Sequence, residues 1–151
     1  MDELKSNFQF DGYKVEHIDY IWNSGFELKE PITVTLAMNV DIGLNDEFTK
    51  GSVKIQTSVF ENAKENNYPF SLQIGITGFF STQDKISEEN FKKFLEINGT
   101  TALFPFLRSV IADITRVANL EPPLLMPLIN IHALSVMQKQ SEEHMVSLKL
   151  E

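Results

Sequence analysis

The sequence predicts an α+β domain, in which a four-stranded antiparallel sheet is followed by helices packed on one of its faces. Two observations predict it. As far as Phe80, apolar residues recur at every second position; from Ser87 onward they recur at helical spacing. The split of strand pattern from helix pattern along the chain is that of a segregated fold and not of alternating βαβ units. The whole of 1–151 reads as a single domain, because neither a linker nor an internal repeat divides it.

The first strand runs through Phe8, Phe10, Tyr13, Val15, Ile18, Tyr20 and Trp22. Its alternation slips phase twice, once around Gly12, which predicts bulges in one long strand. The segment from Ser24 to Pro31 is too long for a tight hairpin and reads as a crossover loop within an otherwise meandering sheet. Ile32, Val34, Leu36, Met38, Val40 and Ile42 make the clearest strand, with Thr33, Thr35, Asn39 and Asp41 between them. One face only can be buried, as in antiparallel sheets. A turn between Gly43 and Gly51 leads to a third strand through Val53, Ile55, Thr57 and Val59. A polar loop at Asn66-Asn67 leads to the fourth, from Tyr68 to Phe80.

A short helix is predicted from Ser87 to a stop at Asn98-Gly99, and a longer one from Thr101 to about Asn119. On the longer helix Leu103, Phe104, Phe106, Leu107, Val110, Ile111, Ile114, Val117 and Ala118 fill an arc of roughly 160°, wider than the ~100° that a monomer's surface helix needs. The excess points to a second apolar partner, such as the same helix of another subunit; a helix well buried in its own domain is the rival account. Pro122-Pro123 and Pro127 break an apolar loop, and Asn130 can cap a final helix bearing Ile131, Leu134 and Met137.

Composition narrows function. Forty-two per cent of the 151 residues are apolar, enough for a core, and the net charge is −8. The few basic residues are scattered, so a nucleic-acid partner is not expected. No apolar run is long enough for a membrane span, the first residues do not form a signal peptide, and there are no cysteines; the expected compartment is cytoplasmic. His17, His132 and His144 lack metal-ligand spacing, Gly75-Ile76-Thr77-Gly78 lacks the lysine of a phosphate loop, and no nucleophile elbow occurs. A carboxylate pair assembled by the fold, such as Asp19 with Asp41, is the remaining catalytic option. The chain is therefore expected to bind without catalysis and without a cofactor or metal.

Leu103-Phe104-Pro105-Phe106-Leu107-Arg108 resembles the opening of the first long helix in the SecB family of export chaperones. Pro122-x-Leu124 and Ile129-Asn130-Ile131-x-Ala133-Leu134 resemble that family's linker and second-helix start, at similar spacing, and Phe8-Gln9-Phe10 with Tyr13, Val15, Ile18 and Tyr20 resembles its first strand. Ser109 and Pro127 depart from the pattern, and the closing residues Ser147-Leu148-Lys149-Leu150-Glu151 do not resemble the acidic tail through which classical members meet the SecA motor. The short helix around Phe91 lengthens a family loop.

The resemblance implies an ATP-independent chaperone, a holdase that binds unfolded or extended polypeptides in apolar grooves. It implies a homotetramer, a dimer of dimers, with Leu103, Phe106, Val110, Ile114 and Val117 at the interface. It also implies a client groove lined by the crossover loop and the second helix, here Trp22, Phe26, Leu28, Leu134 and Met137. Each of these five could equally be a core residue. Clients would be preproteins for export, with SecA as a further partner, or an antitoxin of a toxin–antitoxin pair. A non-catalytic binding protein for a small hydrophobic ligand is the reading from another class.

Overall fold

The computed structural model describes residues 8–126 and, as a backbone strand, 144–150. Five antiparallel strands form one sheet in the order β1-β4-β3-β2-β5. They are β1 (Phe8–Trp22), β2 (Ile32–Leu44), β3 (Lys50–Val59), β4 (Phe70–Thr82) and β5 (His144–Leu150). β2, β3 and β4 form the expected meander; the crossover loop carries the chain from β1 at one edge past β4 and β3 to β2. The fifth strand, at the far edge on β2, goes beyond the four that alternation predicts.

β1 shows how sequence pattern and sheet geometry reconcile. Its pairing with β4 shifts register between Phe10 and Gly12 and again between Val15 and His17. Each bulge sets two residues against one and restores the alternation after it. Phe8, Phe10, Tyr13, Val15, Ile18, Tyr20 and Trp22 thereby all lie opposite the inward-facing positions of β4, from Thr82 to Phe70. Gly12 takes φ +120 at the first bulge, a conformation that side chains with a Cβ rarely adopt.

Three helical pieces follow or interrupt the strands: α1 (Ala63–Asn66), α2 (Glu88–Phe94) and α3 (Thr100–Val117). α1 stands in the expected polar loop. Ser87 caps α2 by accepting from the Asn90 backbone N–H at 3.2 Å. The helix does not stop at Asn98-Gly99 as its composition predicts. Leu95–Gly99 form a π-helical turn that runs straight into α3. Gly99 keeps right-handed helical angles there, and its lack of a side chain serves packing instead: a Cβ would stand 2.9 Å from Val53 Cγ2 on the sheet.

The core lies between the sheet and these helices. Val34, Leu36, Val53, Ile55, Leu72 and Ile76 from the sheet meet Phe91, Leu95, Leu103, Leu107 and Ile111 from the helical side. Each such side chain contributes about 1.5–3 kcal/mol by leaving water. The loop after α3 is drawn onto the same core through Leu124 and Met126. The Thr115 hydroxyl accepts from Leu124 N at 2.9 Å, and Arg108 Nε donates to the Met126 carbonyl at 2.8 Å. The opposite face of the sheet is polar, as β2 predicts.

Candidate functional site

The crossover loop at 23–31 is built by two asparagines. Asn23 is buried; its Nδ2 donates to the Ala63 carbonyl at 3.2 Å and the Tyr68 carbonyl at 2.9 Å, and its Oδ1 accepts from Gly25 N at 3.1 Å. Asn67, in the left-handed conformation after α1, accepts from Glu27 N and donates to the Glu27 carbonyl. The α1 turn and the residues after it thus hold the loop at its start, through Asn23, and at its middle, through Glu27.

Those side chains stay at the surface. Trp22 is 51% exposed and Leu28 76% exposed, whereas Phe26 is half-buried and meets the Trp22 ring edge-on at 6.4 Å. Of the five residues expected to form a groove, Trp22 and Phe26 touch, and Leu28 is exposed two residues further along the loop. Leu134 and Met137 lie outside the described residues, as does the final helix expected around them.

A second apolar surface lies along α3 and the middle of β1. The wide arc divides into two stripes. Leu103, Phe104, Leu107 and Ile111 are buried on the sheet, while Phe106, Val110 and Ile114 are only partly buried and Val117 is 75% exposed. Leu103 therefore does not belong with the expected interface residues: it is 0% exposed and packs beside Gly78 inside its own core. Phe106 is covered on one side by Phe10 and Tyr13, with ring centroids at 5.6 and 4.4 Å. Val15 and Ile18 continue the exposed apolar residues along the same face of β1, whereas the exposed Ile21, opposite Ser71, lies on the other face.

The polar face offers little for chemistry. One open hollow is lined by Glu16, His17, Asn39, Lys54, Gln56 and Gln73, and another by Glu27, Lys29, Glu30, Thr33 and Tyr68. In the first, the Glu16 carboxylate is already engaged, accepting from the Thr77 hydroxyl. Asp19 and Asp41 are not brought together. Asp19 pairs with Gln73 across β1 and β4, and Asp41 with Lys54 across β2 and β3, on strands separated by β4 and β3. At ~4.8 Å per strand spacing their backbones stand more than about 14 Å apart. Among the described residues no group of acids and histidines could hold a metal ion, and no helix is long and apolar enough to cross a membrane. Burial raises the Tyr20 phenol above its usual 10.0, which leaves it neutral beside Phe70.

Asn23 and Asn67 are the residues that sequence reading misses. Asn is common in turns, and only the Asn66-Asn67 pair marked the place; nothing local reveals partners 40 residues away.

The comparisons with known proteins agree with this geometry. The family model described as SecB, preprotein translocase subunit SecB, matches residues 23–142. The protein-export protein SecB of Acidithiobacillus ferrooxidans is 32% identical over 144 residues, covering 89% of this chain and 91% of that one. An uncharacterized protein of Methanocaldococcus jannaschii is 31% identical over 128 residues, covering 84% of this chain and 81% of its own. Among solved structures, the Mycobacterium tuberculosis SecB-like chaperone Rv1957, in complex with a ChAD peptide from the HigA1 antitoxin, superposes with a TM-score of 0.67 at 16% identity, over 85% of this chain and 94% of that one.

Proposed function

This chain belongs to the SecB family, and on that premise we propose that it is an ATP-independent holdase for unfolded or extended polypeptides. The observation that supports the reading is the exposure of Trp22, at the end of β1, and Leu28, in the crossover loop whose backbone the side-chain amides of Asn23 and Asn67 hold in place. Exposed apolar side chains on a fixed scaffold bind an unfolded chain by removing its apolar surface from water, at about 25 cal/mol per Å², with little regard to sequence. Leu134 and Met137 complete the groove in this reading. Binding requires no reaction, so no catalytic residue, cofactor or metal is assigned. The clients are preproteins for export or, as with the antitoxin peptide bound to the mycobacterial relative, an antitoxin. SecA is the motor partner in the export case, and the working compartment is the cytoplasm.

The protein acts as a homotetramer, with Phe106, Val110, Ile114 and Val117 at a subunit interface. The support is the outer stripe of α3, which its own sheet leaves partly or fully uncovered.

Light scattering of a chemically denatured client tests the function. A molar excess of the protein without ATP slows aggregation, and Trp22→Ser with Leu28→Ser abolishes the effect while the melting temperature holds. An unchanged scattering trace with the parent protein refutes the holdase.

A further inference from the structure

We propose that Asn98 is a modification site gated by the fold. Its side-chain amide is inert while the π-helical turn stands, and it closes on the Gly99 nitrogen once that turn opens. The isoaspartate that results cannot return to the native structure.

Asn98-Gly99 is the sole Asn-Gly pair in the sequence. In such a pair the peptide nitrogen of the glycine attacks Cγ of the asparagine. An N–Cγ bond forms, the Cγ–Nδ2 bond breaks, and ammonia leaves with the proton that the peptide nitrogen gives up. Water then opens the succinimide ring at either carbonyl. One opening yields aspartate; the other yields isoaspartate, in which the main chain runs through Cγ. Glycine favours the step because it has no side chain to hinder the nitrogen and the widest choice of backbone angles.

The fold withholds that freedom. Asn98 is exposed, so water reaches its amide, but it lies within the Leu95–Gly99 π-helical turn. Gly99 keeps φ −64 and ψ −46, and a helical N–H points back into the preceding turn, away from the side chain of the residue before it. Two hydroxyls pin the turn: Thr100 Oγ1 donates to the Leu95 carbonyl at 3.3 Å, and Thr101 Oγ1 to the Ile97 carbonyl at 2.6 Å. Gly99 itself is buried, with Val53, Leu95 and Phe80 around the place where a Cβ would stand. Its nitrogen is freed only when the junction of α2, α3 and β3 comes apart, which is a sub-global opening and not a surface fluctuation.

The same packing sets the consequence. Isoaspartate lengthens the main chain by a methylene directly before Gly99, where even a Cβ would stand 2.9 Å from Val53 Cγ2. Ordinary aspartate adds only a charge at an exposed position. Opening of this junction is therefore recorded covalently, and chains that dwell in the open state are withdrawn from the folded pool. None of this depends on the holdase reading.

Ageing the protein at mildly alkaline pH, folded and in urea, tests the gate, with Asn98 followed by peptide mass spectrometry. Conversion is expected in urea and at least about tenfold slower in the folded protein; equal rates, or no conversion in urea, overturn the proposal. After urea is removed, folded and unfolded chains are separated by size exclusion. Isoaspartate at 98 is expected only in the unfolded fraction, and its presence in the folded one overturns the block to refolding. Two variants separate backbone from charge. Asn98→Gln, whose longer side chain closes a ring far more slowly, is expected to keep its refolding yield through ageing; a loss as fast as the parent's counts against the site. Asn98→Asp is expected to refold to the parent's melting temperature. Its failure to do so would assign the block to charge and overturn the backbone account.

Discussion

The side-chain amide of Asn67 closes a two-bond ring on the backbone of Glu27, accepting from its N–H at 3.1 Å and donating to its carbonyl at 2.8 Å. An amide can do this because its oxygen and nitrogen mimic the edge of a strand. Asn is also among the few side chains at ease at φ 53, which the chain needs after α1. Asn67→Gly keeps the backbone freedom and deletes the ring. It is expected to cost about 1–2 kcal/mol, since both bonds are exposed. Proteolytic cleavage within 24–31 is expected to accelerate, and the anisotropy of the chain's single tryptophan, Trp22, to fall. Unchanged anisotropy would mean that the loop is held by other means.

The outer stripe of α3 gives a test of assembly that spares the fold. Val117 is 75% exposed at the end of the helix, so Val117→Asp costs the protomer little. At a subunit interface the same carboxylate would be buried without a partner, at a cost of several kcal/mol. Light scattering after size exclusion is expected to show a tetramer for the parent and a smaller species for the variant, at the same melting temperature.

Gly99→Ala sets two effects against each other. In the middle of a helix the change normally stabilises by up to about 1 kcal/mol. Here the new Cβ would approach Val53 Cγ2 to 2.9 Å, and Val53 is fully buried on a strand and stiff about χ1. Overpacking of this kind costs about 1–3 kcal/mol, so clash wins and the melting temperature should fall. A rise would show that the π-turn yields at little cost.

Thr57 lies on the buried face of β3, and its hydroxyl has no hydrogen-bond partner among the described residues. Val has nearly its shape without the polar atom. Thr57→Val is expected to stabilise by about 1 kcal/mol, read from a urea melt with unchanged slope.

The strands and α3 were legible because burial on one face writes a period into the sequence. Even the two bulges showed, as slips in the phase of β1. Alternation tells which face is buried but not which strand is the neighbour, so the β1–β4 pairing had to come from the structure. β5 carries the same alternation at Val146, Leu148 and Leu150, but over a stretch too short to stand out after the polar Glu142-Glu143. Asn98-Gly99 misled because composition marks a helix end and close packing alike, and only the position of Val53 separates them. Trp22, Phe26 and Leu28 were expected at a groove from the family resemblance; whether they were core could not be read, since the course of the loop depends on Asn23 and Asn67 bonding to backbone far along the chain.

β1 spans 15 residues where its partner β4 spans 13, and the surplus is taken up at the two bulges. The strand therefore has slack in its length at known places. Loss of one residue from Asp11-Gly12 or from Glu16-His17 would convert a bulge into regular pairing and leave every apolar side chain facing as before. The same loss within β2, which pairs with β3 in unbroken register, would turn Val34 or Met38 away from the core. Relatives of different length should accordingly place their gaps in this part of the sheet at 11–12 and 16–17, and hardly ever between Ile32 and Leu44.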